Sequence, residues 1–257
     1  MKRVFSTAYA LVAYFGFVGS FTALQLASMG LLPAVVPPVD GPPRQGPGAA
    51  LAIDLALVLG FGVQHTVMAR AGFKRLLTRI VPGHLERSTF VLASSLFTAA
   101  IVFLWAPIGG DAWVVRGTGF ALATQGLAMA GFGLALAASF AFDHFGLFGL
   151  KQEGRPAFRT PGLYRIVRHP LMLGILIGIW AAPRMSVGHV VFAASLTVYI
   201  LVGVRFEERS LLRDLGETYA RYRSEVPMLL PWPRPSRAKS TSGAGGGGRL
   251  EGGEAAR

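Results

Sequence analysis

The sequence predicts an all-α membrane protein, a polytopic bundle of about five to six membrane-embedded helices. Of its 257 residues, 52% are hydrophobic and only 15% are charged, a balance far from that of soluble globular domains. Several uncharged runs are long enough to cross a bilayer as helices. The chain contains no cysteine, which excludes disulfides, thiolate nucleophiles and zinc–thiolate sites.

Four long apolar segments are predicted to span the membrane. The first follows Lys2 and Arg3, as in a signal peptide, but the run is too long and lacks a small-residue cleavage site. The fourth is rich in glycine and alanine, which suits close helix contacts inside a bilayer. The predicted spans cover residues 5–32, 49–69, 88–105 and 114–142.

A helical hairpin is predicted to complete the membrane-embedded part. Pro170 is expected at a helix start, because proline in the first helical position gives up an amide that has no partner there. The apolar run from Pro170 to Ala182 would reach roughly 20 Å, less than the ~30 Å hydrocarbon core. It is therefore expected to borrow the preceding turn or to form the short first arm of a hairpin whose second arm is 187–206.

The C-terminal part is predicted to leave the membrane. Leucines and tyrosines recur at helical spacing over residues 207–226 with charged residues between them, a pattern that predicts a cytoplasmic amphipathic helix. The membrane domain is expected to cover residues 1–235. The tail 236–257, which contains four consecutive glycines, is expected to be disordered.

The distribution of lysine and arginine predicts the orientation. If the N-terminus, the loops 70–87 and 145–169 and everything after residue 204 are cytoplasmic, 22 basic residues lie inside and three outside. This asymmetry predicts cytoplasmic N- and C-termini. Orientation and anionic headgroups account for the net charge of +12, so nucleic acid is not expected as a partner. The three outside residues are Arg44, Arg116 and Arg184.

Polar residues are expected to gather at the cytoplasmic helix ends. Ionisable groups in or beside spans are costly and suggest function, although polar residues also belong at helix ends for structural reasons. The helix start at Pro170 would direct unpaired amides and the positive end of its dipole at the basic loop before it. The residues in question form four pairs: Gln64 with His65, Asp143 with His144, Arg168 with His169, and Glu207 with Glu208.

A zwitterionic methyl donor such as S-adenosylmethionine fits this set of groups. Its carboxylate would bind the helix start and an arginine, and its amino group or ribose hydroxyls would bind a glutamate. Methyl transfer from a sulfonium to a thiolate or carboxylate merges opposite charges, so a site that excludes water would favour the reaction.

Two separated segments carry a family resemblance. Residues 162–174 read GLYRIVRHPLMLG, and residues 207–222 contain Glu-Glu-x-x-Leu and then Gly-x-x-Tyr-x-x-Tyr. Together they resemble the signature of the integral-membrane methyltransferases, a superfamily that includes isoprenylcysteine carboxyl methyltransferase. Within it, VQHTVMAR at 63–70 and HF with LFGL at 144–150 resemble the bacterial methanethiol S-methyltransferases. The resemblance implies methylation of methanethiol to dimethyl sulfide by S-adenosylmethionine, in a multi-pass protein of the bacterial cytoplasmic (inner) membrane.

These patterns assign two sets of site residues. His65, His144 and Gln64 are expected on the acceptor side, where a neutral histidine would take the thiol proton. Gly174 would allow close approach of the donor, or would be an ordinary packing glycine. The helix start and the paired glutamates are expected to meet around one donor molecule. The expected donor-binding residues are Tyr164, Arg168, His169, Pro170, Gly174, Glu207 and Glu208.

Other functions remain open at this point. The same scaffold would serve an enzyme that methylates a lipid or a prenylated cysteine carboxylate. A haem- or metal-binding membrane protein would use His65, His144 and His169, but no two of them share a helix at i, i+4, and we expect no metal. A transporter lacks support, since neither an internal repeat nor a mid-span ionisable residue is evident. The expected partners are a small-molecule thiol and membrane lipids, with no obligate protein partner.

Overall fold

The structure, a computed structural model, describes residues 2–32, 39–151 and 158–232 as helices with one short β-ribbon. The tail 236–257, which was expected to be disordered, lies outside the described residues. Two 3₁₀ turns cover Gly83–Leu85 and Gly162–Arg165. The strands are β1 (Asp111–Val114) and β2 (Arg184–Ser186). The helices are α1 (Lys2–Ser28), α2 (Pro47–Ala69), α3 (Ala71–Leu77), α4 (Glu86–Leu104), α5 (Thr118–Phe142), α6 (His144–Leu147), α7 (Pro170–Trp180), α8 (Val187–Leu215) and α9 (Glu217–Glu225).

The membrane-spanning helices agree with the prediction. Five of the described helices, α1, α2, α4, α5 and α8, are long and apolar enough to cross a bilayer. Their outer faces expose large apolar side chains such as Phe15, Leu59 and Phe120, which would be costly in water and are suited to lipid. The all-α polytopic bundle is thereby confirmed.

Helix α7 is the short arm, and it packs differently from the prediction. It begins at Pro170 as expected and has 11 residues, which gives about 16 Å at 1.5 Å per residue. Its main packing partner is α5 rather than α8. The helices α7 and α8 are therefore consecutive in the chain but pack little against each other, and α7 packs mainly on α5.

Small residues allow α5 and α7 to approach at backbone distance. A Cβ atom at Gly131 of α5 would lie 2.7 Å from the amide nitrogen of Gly178 and 2.8 Å from the carbonyl oxygen of Gly174 on α7. Real Cβ atoms do not tolerate such distances, so the backbones meet only because a side chain is absent there. The glycines of the fourth span thus allow close helix contacts, as expected.

The predicted amphipathic helix over 207–226 is wrong as a single element. Residues 207–215 continue α8, which runs without a break to Leu215. Gly216 then adopts φ of 54°, a left-handed conformation that glycine reaches without strain. The chain turns there and begins α9, so Glu207 and Glu208 lie inside a long helix rather than at its end.

A β-ribbon at the opposite end of α8 was not predicted. Strand β1 pairs antiparallel with β2, and Asp111 lies opposite Ser186. The helix of the fourth span begins at Thr118 rather than at residue 114, and Val114, the predicted first residue of that span, is the last residue of β1. Strands of three and four residues with little alternation give no recognisable sequence signal.

A buried ion pair between Asp40 and His189 joins the segment before α2 to the start of α8. The Nδ1 atom of His189 lies 2.8 Å from Asp40 Oδ2, and its Nε2 atom lies 3.1 Å from the carbonyl oxygen of Ile179. Because both neighbours are hydrogen-bond acceptors, both ring nitrogens donate. Burial raises the pKa of Asp40, but hydrogen bonds from His189 and Ser186 outweigh it, and the pKa is lowered overall.

Asp40→Asn is expected to lower the thermal unfolding temperature at pH 7, because it removes a charge-assisted hydrogen bond worth about 1.5–3 kcal/mol. A carboxyl whose pKa is lowered by folding stabilises the fold above its unfolded pKa of about 3.9 and loses that contribution as the pH falls. The difference in unfolding temperature between Asp40→Asn and wild type should therefore shrink below about pH 4.

The matched control is Asp111→Asn, which removes the exposed ion pair of Asp111 with Arg184 in the β-ribbon. Surface pairs of this kind contribute about 0–1 kcal/mol, so this variant should unfold close to wild type. Equal unfolding temperatures for Asp40→Asn and wild type at pH 7 would contradict the role given to the buried pair.

Candidate functional site

A buried ion pair joins the start of α7 to α8. The Nε atom of Arg168, just before α7, donates to Glu208 Oε1 at 2.7 Å. Their side chains are 5% and 10% exposed. A buried charge is costly unless an opposite charge and hydrogen bonds compensate it. The ion pair therefore fixes the relative positions of these two residues, which are 40 positions apart.

The segment after α9 completes the surroundings of Arg168. Its guanidinium also donates to the carbonyl oxygens of Arg223, at 3.0 Å, and of Val226. The backbone amide of Arg168 donates to Pro227 O at 2.9 Å, and that of His169 donates to Met228 O at 3.1 Å. Arg168 therefore ties α7, α8 and the C-terminal segment together.

His169 connects the two glutamates. Its Nε2 atom lies 3.1 Å from Glu208 Oε1, and its Nδ1 atom lies 3.8 Å from Glu207 Oε2. Glu208 thus accepts from both Arg168 and His169, whereas the side chain of Glu207 is 54% exposed. The structure brings together the residues expected to meet here, with Glu208 as the buried anchor and Glu207 as the carboxylate accessible to a ligand.

A cleft of about 400 Å³ opens beside this cluster. It carries four guanidinium groups and one carboxylate, so its potential is positive and suits an anionic group such as a carboxylate. Of these arginines, only Arg168 was predicted as a site residue, although Arg205 and Arg209 are four residues apart and share a helix face. The lining residues are Arg168, Arg205, Glu208, Arg209, Arg223 and Met228.

Tyrosines of α9 and of the turn before α7 border the cluster. The hydroxyl of Tyr222 donates to the carbonyl oxygen of Tyr164 at 2.6 Å, and that of Tyr164 donates to Ala138 O at 3.3 Å. Burial raises the pKa of Tyr222 to about 12. Burial and the nearby carboxylate of Glu207 raise the pKa of Tyr164 to about 12 as well, so both hydroxyls remain donors at neutral pH.

Tyr219, one of the tyrosines of the predicted amphipathic pattern, is a buried polar group beside the cluster. Its side chain is 1% exposed, and its hydroxyl oxygen is buried without a hydrogen-bond partner among the described residues. Burial, reinforced by the charge of Glu208, raises the pKa of Tyr219. A buried neutral hydroxyl without a partner requires an explanation, and a ligand that accepts its hydrogen bond is one.

Two residues expected at the donor site have structural roles at the start of α7. Pro170 is buried as the first residue of the helix. A Cβ atom at Gly174 would lie 2.5 Å from the amide nitrogen of Ala135, so its open side faces α5. Close packing with α5 accounts for Gly174 in the second of its two expected roles, and its role in donor binding stays a prediction.

His144 has structural contacts through both ring nitrogens, and its expected catalytic role stays a prediction. Its Nδ1 atom lies 2.8 Å from the hydroxyl of Ser139, and its Nε2 atom lies 3.0 Å from the hydroxyl of Tyr14. The Ser139 hydroxyl donates to the carbonyl oxygen of Leu136, so it accepts from Nδ1–H, and Nε2 accepts from Tyr14. Burial lowers the pKa of His144. Both nitrogens of this neutral ring are used in joining α1 to α5.

Gln64 and His65 form a third polar cluster, with Ser94 of α4. The Ser94 hydroxyl lies 3.3 Å from His65 Nδ1 and 3.4 Å from Gln64 Nε2. Gln64 Nε2 also lies 3.1 Å from the sulfur of Met68. The Gln64 Oε1 atom is buried and has no hydrogen-bond partner within the described part of the chain.

The four pairs predicted at one level thus form three clusters. Within residues 2–32, 39–151 and 158–232, no hydrogen bond or ion pair joins Gln64, His65 or His144 to the cluster of Arg168. In the same residues, no group of three or more histidine, aspartate or glutamate side chains is placed to hold a metal ion. The cluster at the start of α7 is therefore the candidate site with both a cleft and charged groups.

Known proteins are similar in sequence to this chain over most of its length. A methanethiol S-methyltransferase of Mycobacterium tuberculosis is 41% identical over 244 residues, which are 91% of this chain and 98% of that protein. This chain belongs to the methanethiol S-methyltransferase family. The Pseudomonas deceptionensis member is 47% identical over 200 residues, 72% of this chain and 76% of that protein. Methanethiol S-methyltransferase 2 of Bradyrhizobium diazoefficiens is 42% identical over 234 residues, 87% of this chain and 88% of that protein.

Membership of the methanethiol S-methyltransferase family confirms the resemblance carried by the motifs. No family model matches the chain, and no solved structure does. The geometry of the site in this family member therefore rests on the contacts described above. Sequence reasoning could not have found the carbonyl groups of Arg223 and Val226, because any residue supplies a carbonyl oxygen.

Proposed function

We propose that this protein transfers a methyl group from S-adenosylmethionine to methanethiol and releases dimethyl sulfide at the cytoplasmic face of the bacterial inner membrane. The observation that carries the donor site is the buried contact of Arg168 and His169 with Glu208 beside a cationic cleft. The acceptor is supported by the names of relatives that are 41% and 47% identical.

The residues around the cleft fit the parts of this donor. The arginines offer a carboxylate bidentate hydrogen bonds. Glu207, with its exposed carboxylate, would take the amino group or the ribose hydroxyls. The hydroxyl of Tyr219, which has no partner among the described residues, would donate to a ring nitrogen or an oxygen of the nucleoside, which would satisfy a buried group that is otherwise costly.

The protein then has to orient the reactants, exclude water and remove one proton. Once bound, the donor supplies a methyl group on a positively charged sulfur, and transfer to a thiolate yields two uncharged thioethers. A site that excludes water favours this loss of charge separation. A thiol has a pKa of about 8.5, so a base is required, and His65 is the remaining histidine candidate because both ring nitrogens of His144 are used.

The length of α8 supports the placement of the site at one membrane surface. Twenty residues separate Val187, beside the ribbon, from Glu207, and this corresponds to about 30 Å, one hydrocarbon thickness. The site and the ribbon would then lie at opposite surfaces. The excess of lysine and arginine in loops on the side of the site supports a cytoplasmic position for it.

Labelled S-adenosylmethionine and a set of acceptors test this function. Purified protein in lipid nanodiscs should convert methanethiol to labelled dimethyl sulfide in the headspace, and protein-free nanodiscs should not. The same reaction should be run with nanodisc lipid alone and with a prenylated cysteine as acceptor. Label transferred to either of these in place of the thiol would contradict the proposal and favour another acceptor class.

A further inference from the structure

We propose that the acceptor thiol binds between α2, α4 and α8, at a site formed by Gln64, His65 and Ser94 and enclosed by Phe61 and Tyr199. This inference rests on the proposed function and names its second binding site. The site is separate from the cationic cleft, and it lies within the membrane-spanning parts of the three helices.

The polar side of this site has one hydrogen-bond acceptor to spare. The Ser94 hydroxyl lies within hydrogen-bond distance of both His65 Nδ1 and Gln64 Nε2, which fixes the amide of Gln64. Its Oε1 atom is buried without a partner among the described residues. A buried acceptor of this kind is costly unless a ligand donates to it, and a thiol S–H is a weak donor.

The apolar side consists of aromatic rings. The ring of His65 lies 5.4 Å from that of Phe61, 4.7 Å from that of Phe90 and 6.2 Å from that of Tyr199. Sulfur makes favourable contacts with aromatic rings at about 5 Å. A small, uncharged molecule with one methyl group and one S–H group matches both sides.

Gly62 of α2 leaves room for the ring of Tyr199 to pack against this helix. A Cβ atom at Gly62 would lie 3.1 Å from the ring of Tyr199, so any larger residue at position 62 would press on this ring. Tyr199 of α8 and Phe61 of α2 thereby both lie beside His65.

The depth of this site gives the two substrates different entry routes, although the methyl-bearing sulfur of the donor must reach the thiol for transfer. Tyr199 precedes Glu207 by eight residues on α8, which is about 12 Å along the axis. The thiol site is therefore on the membrane side of the charged cluster. A volatile apolar thiol would approach through the lipid and a charged nucleotide through water, so neither would have to cross the medium that excludes it.

Steady-state kinetics with methanethiol test the assignment. Ser94→Ala and Gln64→Leu should each raise the KM for the thiol by about tenfold, the effect of one lost hydrogen bond. The KM for the methyl donor should stay within about twofold, which a general loss of structure would not produce. The control is Ser95→Ala on the same helix, whose hydroxyl bonds to Val91 O in its own helix, and this variant should keep both KM values.

A binding measurement separates this inference from the proposed function. Saturation-transfer NMR with methanethiol and protein in nanodiscs, without methyl donor, should give transfer for wild type and Ser95→Ala and should lose it for Gln64→Leu. Such loss without any methylation by wild type would overturn the proposed function and support the thiol site. Unchanged transfer and unchanged thiol KM in Ser94→Ala and Gln64→Leu would overturn the thiol site, whatever the activity of wild type.

Discussion

Arg168→Ala is expected to lower the rate of methyl transfer by about 100-fold or more. Removing one partner of a buried ion pair destabilises the fold around it by about 3–5 kcal/mol. Because the donor binds only to the intact cleft, the population of competent enzyme falls about tenfold for each 1.4 kcal/mol of this cost. The variant leaves Glu208 buried with only His169 as partner and removes the hydrogen bonds to the carbonyls of Arg223 and Val226. The cleft thus loses one cationic group and, with it, the contacts that hold the C-terminal segment beside α7.

Two further variants show whether this effect comes from the buried cluster. Arg165→Ala removes an exposed arginine three residues earlier, whose Nε atom donates to the carbonyl oxygen of Thr160 at 3.3 Å. Its rate should stay within about twofold of wild type. Glu208→Gln keeps the shape of the side chain but removes its charge, so donor binding measured by calorimetry should weaken strongly. Normal donor affinity in Glu208→Gln would refute the role of this cluster.

Gly131→Ala is expected to destabilise the bundle more than any exposed substitution in α5. The new methyl group would lie 2.7 Å from the amide nitrogen of Gly178 and 2.8 Å from the carbonyl oxygen of Gly174. Both atoms belong to the backbone of α7 and cannot rotate away, so the helices must separate. Overpacking costs about 1–3 kcal/mol, occasionally more, and the shifted α7 carries Arg168 and His169 with it.

The matched control for this substitution is Gly133→Ala in the same helix. A Cβ atom at Gly133 meets nothing within 4 Å, and alanine favours a helix interior over glycine by up to about 1 kcal/mol. Gly133→Ala should therefore unfold at the same or a higher temperature than wild type, and Gly131→Ala at a lower one. If thermal unfolding places the two variants in the opposite order, the backbone contact between α5 and α7 is wrong.

The candidate site shows which of the predicted residues the structure brings into contact and which it does not. Arg168, His169 and the two glutamates were selected because charged groups beside apolar runs are costly, and the structure brings them into contact. His144 was selected by the same argument, yet its partners are Ser139 and Tyr14. Tyr14 lies 130 positions earlier in the chain, so the pattern around His144 could not reveal that its nitrogens were already used.

The membrane spans, the start of α7 at Pro170 and the membership of a methyltransferase family follow from the sequence by itself. Hydropathy, proline stereochemistry and motifs are properties of short stretches, and they hold wherever those stretches come to lie. Only the tertiary structure decided that α7 packs on α5, that α8 continues through Glu207 to Leu215, and that the hydroxyl of Tyr219 has no partner within residues 2–32, 39–151 and 158–232. These depend on which helix faces meet, and close packing between residues far apart in the chain decides that.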